Sequence, residues 1–312
     1  METNTGNNTK WMSIGEFYHF IFTELADPRT SSYFLIADPL PGLGILAFYL
    51  YFVNSLGPRF MKNREPFNLQ TTIYVYNTLQ ASLSFFMFVE ILSAMWWNRY
   101  SFRCEPVDYS TSPHALRVAR MVYIFFIAKM TELIETVFFV LRKKQKQVTF
   151  LHCYHHAVMP MVTWGATKYF AGGHGTFIGL INSFVHIIMY LYYLQAGMGY
   201  RNLWWKKYIT MMQLGQFLLF FVHFAQLWFI ECDFPKWTAL LITPQVLFFI
   251  YLFSKFYMKS YKKNDEKDNL PGYQTEGIRE NGESIRKRNV ALTQRSNVFD
   301  GQIGDRKVIK NG

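Results

Sequence analysis

Cysteine is scarce in this chain, 3 among 312 residues. That excludes a disulfide-stapled scaffold and leaves room for one bridge at most. Histidine is sparse too, 8 in all, with a single cluster. Two metal ions held mainly by imidazoles would lack ligands. No long internal repeat is visible, and no matching pair of Gly/Pro-broken apolar segments marks a transporter. Acidic residues number 21 against 32 Lys and Arg, a net charge of +11. The basic residues are dispersed at the ends of apolar runs rather than gathered on one surface, which argues against nucleic-acid binding. The first apolar run lacks a small-residue cleavage site, and two acidic-Pro turns, Asp27-Pro28 and Asp38-Pro39, precede it. It is therefore read as retained, not as a cleaved signal peptide. The ending Ile309-Lys310-Asn311-Gly312 has no paired-lysine retrieval signal.

What is abundant is apolar and aromatic: 51% hydrophobic residues, 31 Phe and 20 Tyr, although mean hydropathy is only +0.03. The average conceals segregation. Apolar runs of membrane-spanning length lie near 39–57, 71–97, 116–141, 149–171, 174–196, 207–230 and 236–258, which predicts an all-α polytopic membrane protein of seven transmembrane helices. Residues 1–38 form a segment before them, 39–260 the membrane domain, and 261–312 a polar tail expected to be disordered. Basic residues follow spans one (Arg59, Lys62, Arg64), three (Arg142, Lys143, Lys144, Lys146) and five (Arg201, Lys206, Lys207). Those loops are expected in the cytosol, with the N-terminus lumenal and the C-terminus cytosolic. Asn7-Asn8-Thr9 is a glycosylation sequon on the expected lumenal side. Cys104 and Cys232 fall in expected lumenal loops, where they either pair or stay free thiols.

Against this apolar background the polar residues are informative, because ionisable groups inside a membrane are expensive and face a bundle interior or a wet cavity. His152-Cys153-Tyr154-His155-His156 opens the fourth span. On a helix His155 lies about 60° to one side of His152 and His156 about 40° to the other, so the three edge one face. Span three carries Lys129, Glu132 and Glu135 at i, i+3 and i+6, either as part of a site or as a structural Lys129–Glu132 pair. Span five offers Asn182, His186, Tyr190 and Tyr193, and span six Gln213 and Gln216. At the helical rise, His152 to His156 lie about 5 to 12 Å from the cytosolic helix ends, Glu135 and Gln213 about 9 Å, Glu132 and Gln216 about 13 Å and His186 about 15 Å. His114, His174 and His223 fall outside that layer. A pocket there, opening toward basic loops and continuing into aromatic-rich helices, suits an amphiphile with an anionic head and a long acyl tail.

These stretches resemble the motifs of the ELO family, the elongases of very-long-chain fatty acids. The resemblance rests on Lys129-Met130-Thr131-Glu132-Leu133-Ile134-Glu135-Thr136, the His152–His156 box, Asn182-Ser183-Phe184-Val185-His186 through Tyr190, and Thr210-Met211-Met212-Gln213-Leu214-Gly215-Gln216. Cys104-Glu105-Pro106-Val107-Asp108-Tyr109-Ser110 is similar to a further segment of animal elongases. The family usually has Asp where this chain has Glu135, a carboxylate one methylene longer in reach. The resemblance implies a tunnel for acyl-CoA within the helices and an endoplasmic-reticulum membrane enzyme, an acyltransferase of the very-long-chain 3-oxoacyl-CoA synthase type. It would condense a long-chain acyl-CoA with malonyl-CoA to a 3-oxoacyl-CoA two carbons longer, releasing CO2 and CoA. Decarboxylation supplies the carbanion, so no cofactor and no metal is expected. Partners implied are the two CoA esters, the bilayer, and the ketoreductase, dehydratase and enoyl reductase of the cycle; a homodimer is compatible with the chain but required by no feature of it.

Two mechanisms fit such a box. Either His155 attacks the thioester to give an acyl-imidazole, with His186 stabilising the enolate or oxyanion, or the histidines serve only as acid, base and oxyanion donors while the two esters react directly. The first is the preferred reading; in it His152, His156, Glu132 and Glu135 orient or set charge, and Lys129, Asn182, Tyr190, Gln213 and Gln216 support. Cys153, as the nucleophile of soluble condensing enzymes would be, is the weaker reading, and a small core thiol the stronger. The rival enzyme class is a histidine-box, metal-dependent lipid desaturase or hydroxylase. The rival outside enzymes is a seven-helix lipid transporter.

Overall fold

The computed structural model describes residues 12–97, 99–200 and 204–262, and among them every regular element is helical. The sequon at Asn7, Arg201 and the tail beyond residue 262 lie outside the described residues. A short helix α1 (Ile14–His19) comes first. The long helices are α2 (Pro39–Met61), α3 (Gln70–Trp96), α7 (Gly173–Gly197) and α8 (Lys206–Trp228), and α9 (Trp237–Tyr257). These five are long and apolar enough to cross a membrane. Between α3 and α7 lie α4 (Pro113–Thr131), α5 (Leu133–Leu141) and α6 (Phe150–Tyr169).

Local chemistry sets the helix starts. Asp38 accepts the Leu40 N–H with Pro39 in the first turn of α2, Ser112 accepts the Ala115 N–H with Pro113 opening α4, and Thr149 accepts the His152 N–H at the head of α6. Each cap satisfies an amide that would otherwise be orphaned, and each proline lacks that amide anyway. The third apolar run of the sequence is two helices rather than one. The break is at Glu132, where the Glu135 N–H bonds the Glu132 carbonyl at 3.1 Å, a turn tighter than α.

The most extensive helix pairing is α3 along α7. The buried stripe of α3 is Asn77, Gln80, Ser84, Met87 and Ile91. Steps of three and four are those of a coiled-coil stripe, here polar at one end and apolar at the other. The apolar end joins the main core, where Met87 and Ile91 meet Met121, Phe125, Phe177 and Leu180. Helix α4 packs on α6, and α7 on α8.

Opposite the histidine box, loops close over the helix ends. Cys104 and Cys232 are joined in a disulfide across 128 positions of sequence. Residues 26–37, expected only as part of a segment ahead of the membrane, are tied down by buried Arg29. Its guanidinium pairs with the Asp27 carboxylate through two nitrogens and donates to the carbonyls of Asp108, Ala115 and Ala171. Lys168, also buried, donates to the carbonyls of Ile36 at 3.0 Å and Ala37 at 3.2 Å. Buried charges survive only when satisfied in this way. Burial pushes the Glu105 carboxyl above the usual carboxylate range, while hydrogen bonds from Ser110 hold Asp108 below it.

A second unit begins at Lys255, and its described residues run through the turn Met258–Lys262, with the Tyr257 and Tyr261 rings 5.3 Å apart.

Candidate active site

Two buried carboxyl groups organise the site, Glu132 at the break between α4 and α5 and Glu135 in the first turn of α5. Glu132 Oε1 accepts from Lys129 Nζ at 2.7 Å and lies 3.2 Å from His186 Nδ1. Lys129 also stands 4.8 Å from the centre of the Phe125 ring. Glu135, one turn on, faces a different set. Tyr190 donates to its Oε1 at 2.6 Å and Tyr76 at 3.4 Å, and His156 Nε2 is 3.7 Å from its Oε2. Gln80 in turn donates to the Tyr76 oxygen at 2.9 Å and to Thr131 at 3.2 Å. Since α3, α5, α6 and α7 all contribute, the site exists only in the assembled bundle.

The histidine box occupies the first two turns of α6. The rings of His152 and His156 are 4.2 Å apart, and those of His155 and His156 5.3 Å. Their surroundings differ. His152 Nε2 shares a 2.9 Å hydrogen bond with Thr136. His156 is buried against Glu135. His155 turns toward Phe249 of α9, 5.4 Å between ring centres, and its ring nitrogens have no hydrogen-bond partner among the described residues. His152 is thus held by one hydrogen bond, while the rings of His155 and His156 have none among the described residues, with two carboxyl groups and a phenol behind them. Such a set can attack an acyl carbon, move a proton and steady an oxyanion.

Of the residues singled out by sequence, Lys129, Glu132, Glu135, His152, His155, His156, His186 and Tyr190 form this connected group. Tyr193 touches it through the Tyr190 ring at 6.1 Å. Gln213 reaches only the Met189 sulfur, at 3.6 Å. Asn182 and Gln216 are buried, and Asn182 Oδ1, Gln216 Oε1 and His156 Nδ1 are without hydrogen-bond partners among the described residues. Buried polar atoms in that state are rare and are available to a bound polar group. Cys153 packs beside Leu46, Tyr49 and Val53. His174 and His223 lie apart from the site, stacked 3.6 Å from each other, each ring Nε2 against the other's carbonyl. His114 bonds the Ala94 carbonyl. No group of three His, Cys, Asp or Glu able to hold a metal ion occurs among the described residues. Sequence reasoning missed Tyr76, Gln80, Thr136 and Tyr49. Tyr49 of α2 shares a 2.9 Å hydrogen bond with Thr136. A signal was present for Thr136, four residues after Glu132 within the quoted motif, but none for the others.

Comparison with known proteins gives a uniform result. The model of the ELO: GNS1/SUR4 family matches residues 34–269. Very long chain fatty acid elongase 7 of Drosophila melanogaster is 45% identical over 247 residues, 78% of this chain and 75% of that one. Very long chain fatty acid elongase 1 of Homo sapiens is 46% identical over 244 residues, 76% of this chain and 87% of that one. Elongase 1 of Mus musculus is 44% identical over 257 residues, 80% and 91% of the two chains.

Proposed function

The chain belongs to the ELO (GNS1/SUR4) family, and on that footing we propose that it is the condensing enzyme of fatty-acid elongation, joining a long-chain acyl-CoA to malonyl-CoA. The products are a 3-oxoacyl-CoA longer by two carbons, CO2 and free CoA, which makes it an acyltransferase of the 3-oxoacyl-CoA synthase type. The relatives' names support this over a desaturase, a hydroxylase or a transporter.

The observation that carries the mechanism is the His155 ring, without a hydrogen-bond partner among the described residues, beside His152, which Thr136 holds, and His156, which lies 3.7 Å from Glu135. A nitrogen of neutral His155 attacks the acyl-CoA thioester carbon, a C–N bond forms, and the C–S bond breaks to release CoA. Malonyl-CoA then loses CO2, and the electron pair left on its α-carbon attacks the acyl carbon, breaking the C–N bond and returning His155. His186, held by Glu132, faces the enolate or oxyanion. His156 and Tyr190 steady Glu135, while Asn182, Gln213 and Gln216 provide polar contacts. No redox cofactor or metal enters these steps.

In the same reading, α6 and the broken pair α4 and α5 are two further spans beyond the five most apolar helices. The seven enclose an acyl-CoA tunnel, with residues 1–38 lumenal and 261–312 a cytosolic tail, in the endoplasmic-reticulum membrane beside the reductases and dehydratase of the cycle. The test is extension of a panel of acyl-CoAs by membranes carrying the chain or its His155→Ala variant, with labelled malonyl-CoA and without NADPH. Label in a 3-oxoacyl product from the wild type and none from the variant is the expected result. Absence of any malonyl-dependent product across the panel would overturn the assignment.

A further inference from the structure

Helix α2 touches the rest of the molecule along one narrow stripe. Gly42, Leu46, Tyr49, Val53, Gly57 and Met61 are buried, while Leu43, Phe48, Leu50 and Tyr51 are exposed. Steps of three and four make this one face of a helix whose other faces are left to lipid. Tyr49 carries the one hydroxyl in the stripe. Burying a phenol oxygen is unfavourable unless it is bonded, and this one meets Thr136 at 2.9 Å. Thr136, fully buried, meets His152 Nε2 at 2.9 Å with the same oxygen. The seam is held again further along, two turns on from Tyr49 in α2 and one turn on from Thr136 in α5. A Cβ on Gly57 would come within 2.6 Å of Val140, the residue four beyond Thr136, so only glycine lets α2 approach α5 this closely.

We propose that Tyr49 and Thr136 are positioning residues for the histidine box, a two-hydroxyl relay that fixes the ring and the proton of His152. A phenol is the better donor, so Tyr49 O–H donates to Thr136, and Thr136 O–H donates to Nε2 of His152, leaving the ring proton on Nδ1. With its edge fixed, the His152 ring sets the tilt of His156, 4.2 Å away, and so the approach of His156 to Glu135. Helix α2 is then part of the catalytic apparatus and not only a membrane anchor. This rests on the condensing reading above.

The test compares Thr136→Val, isosteric but without a hydroxyl, with Thr136→Ser and Tyr49→Phe. Thr136→Val is expected to lower kcat by about 10- to 100-fold, part of what a positioned acid or base contributes, with KM unchanged, while Thr136→Ser restores most of it. Tyr49→Phe falls between, and the double variant is no worse than Thr136→Val alone, because a relay broken once is broken. A readout free of turnover is the 15N spectrum of labelled His152, an unprotonated Nε2 in the wild type and a tautomer mixture in Thr136→Val. If Thr136→Val keeps kcat within about twofold, or Tyr49→Phe and Thr136→Val multiply independently, or the 15N spectrum is unchanged, the relay is wrong. A wild type that makes no 3-oxoacyl product would sink the condensing reading, and the 15N comparison would still decide the relay.

Discussion

Glu132 is the residue on which the site balances, because one carboxylate oxygen serves both Lys129 and His186. Replacing it by Gln leaves a buried ammonium without an anion, and breaking such a pair from one side costs about 3–5 kcal/mol. Thermal unfolding in detergent should show Glu132→Gln well below the wild type. A double Lys129→Met, Glu132→Leu replacement, which removes both charges, is expected to regain most of that stability without activity. At Glu135 the contrast is between phenols. Tyr190 donates at 2.6 Å and Tyr76 only at 3.4 Å, so Tyr190→Phe should lose a hydrogen bond worth about 0.5–1.5 kcal/mol. Its turnover is expected to fall by about tenfold or more, measured beside Tyr76→Phe, which should fall less. The histidines, Glu132, Glu135 and Lys129 were legible in the sequence because such groups inside apolar runs demand a reason. Tyr76, Gln80 and Tyr49 were not, since tyrosines and amides are common in these helices and which way each points depends on helix rotation.

Among the elements, the turn that opens α7 is the least tolerant. Gly173 has φ +59°, and a Cβ there would meet the carbonyl oxygens of Glu105 at 2.7 Å and Pro106 at 2.8 Å. Backbone cannot step aside as a side chain can. Gly173→Ala should therefore destabilise by about 1–3 kcal/mol or more, whereas Gly175→Ala, whose Cβ would find Phe234 at an ordinary 3.6 Å, should be nearly neutral. The two melting curves decide it. The apolar runs located every long helix, since length and apolarity are properties of a segment alone. The break at Glu132 was hidden, because the run on either side remains apolar and the tight turn is set by contacts the carboxylates make after folding. The polar stripe Asn77, Gln80 and Ser84 on α3 was hidden for a related reason: the contact Gln80 makes, with Thr131, lies 51 residues further along the chain.

At the scale of the whole molecule, the disulfide between Cys104 and Cys232 and the knot around Arg29 brace the end opposite the site. Removing a native disulfide costs about 2–5 kcal/mol. Cys104→Ser, or reductant acting on the wild type, should lower the unfolding temperature, and reductant should have no further effect on the variant. In sealed microsomes the proposed orientation predicts a C-terminal tag open to added protease and an N-terminal tag protected. Asp27 and Arg29 gave no sign in the sequence of what they hold, because three of the bonds that use them reach distant carbonyls, in two loops and in the first turn of α4. The acceptors of Arg29 lie 79, 86 and 142 positions further along the chain. As the ribosome delivers the protein N-terminus first, this guanidinium emerges early and waits, gaining its carbonyls one after another and its last only once residue 171 has been synthesised. A nascent chain stalled before Ala171 would therefore leave Arg29 without one of its three carbonyl partners.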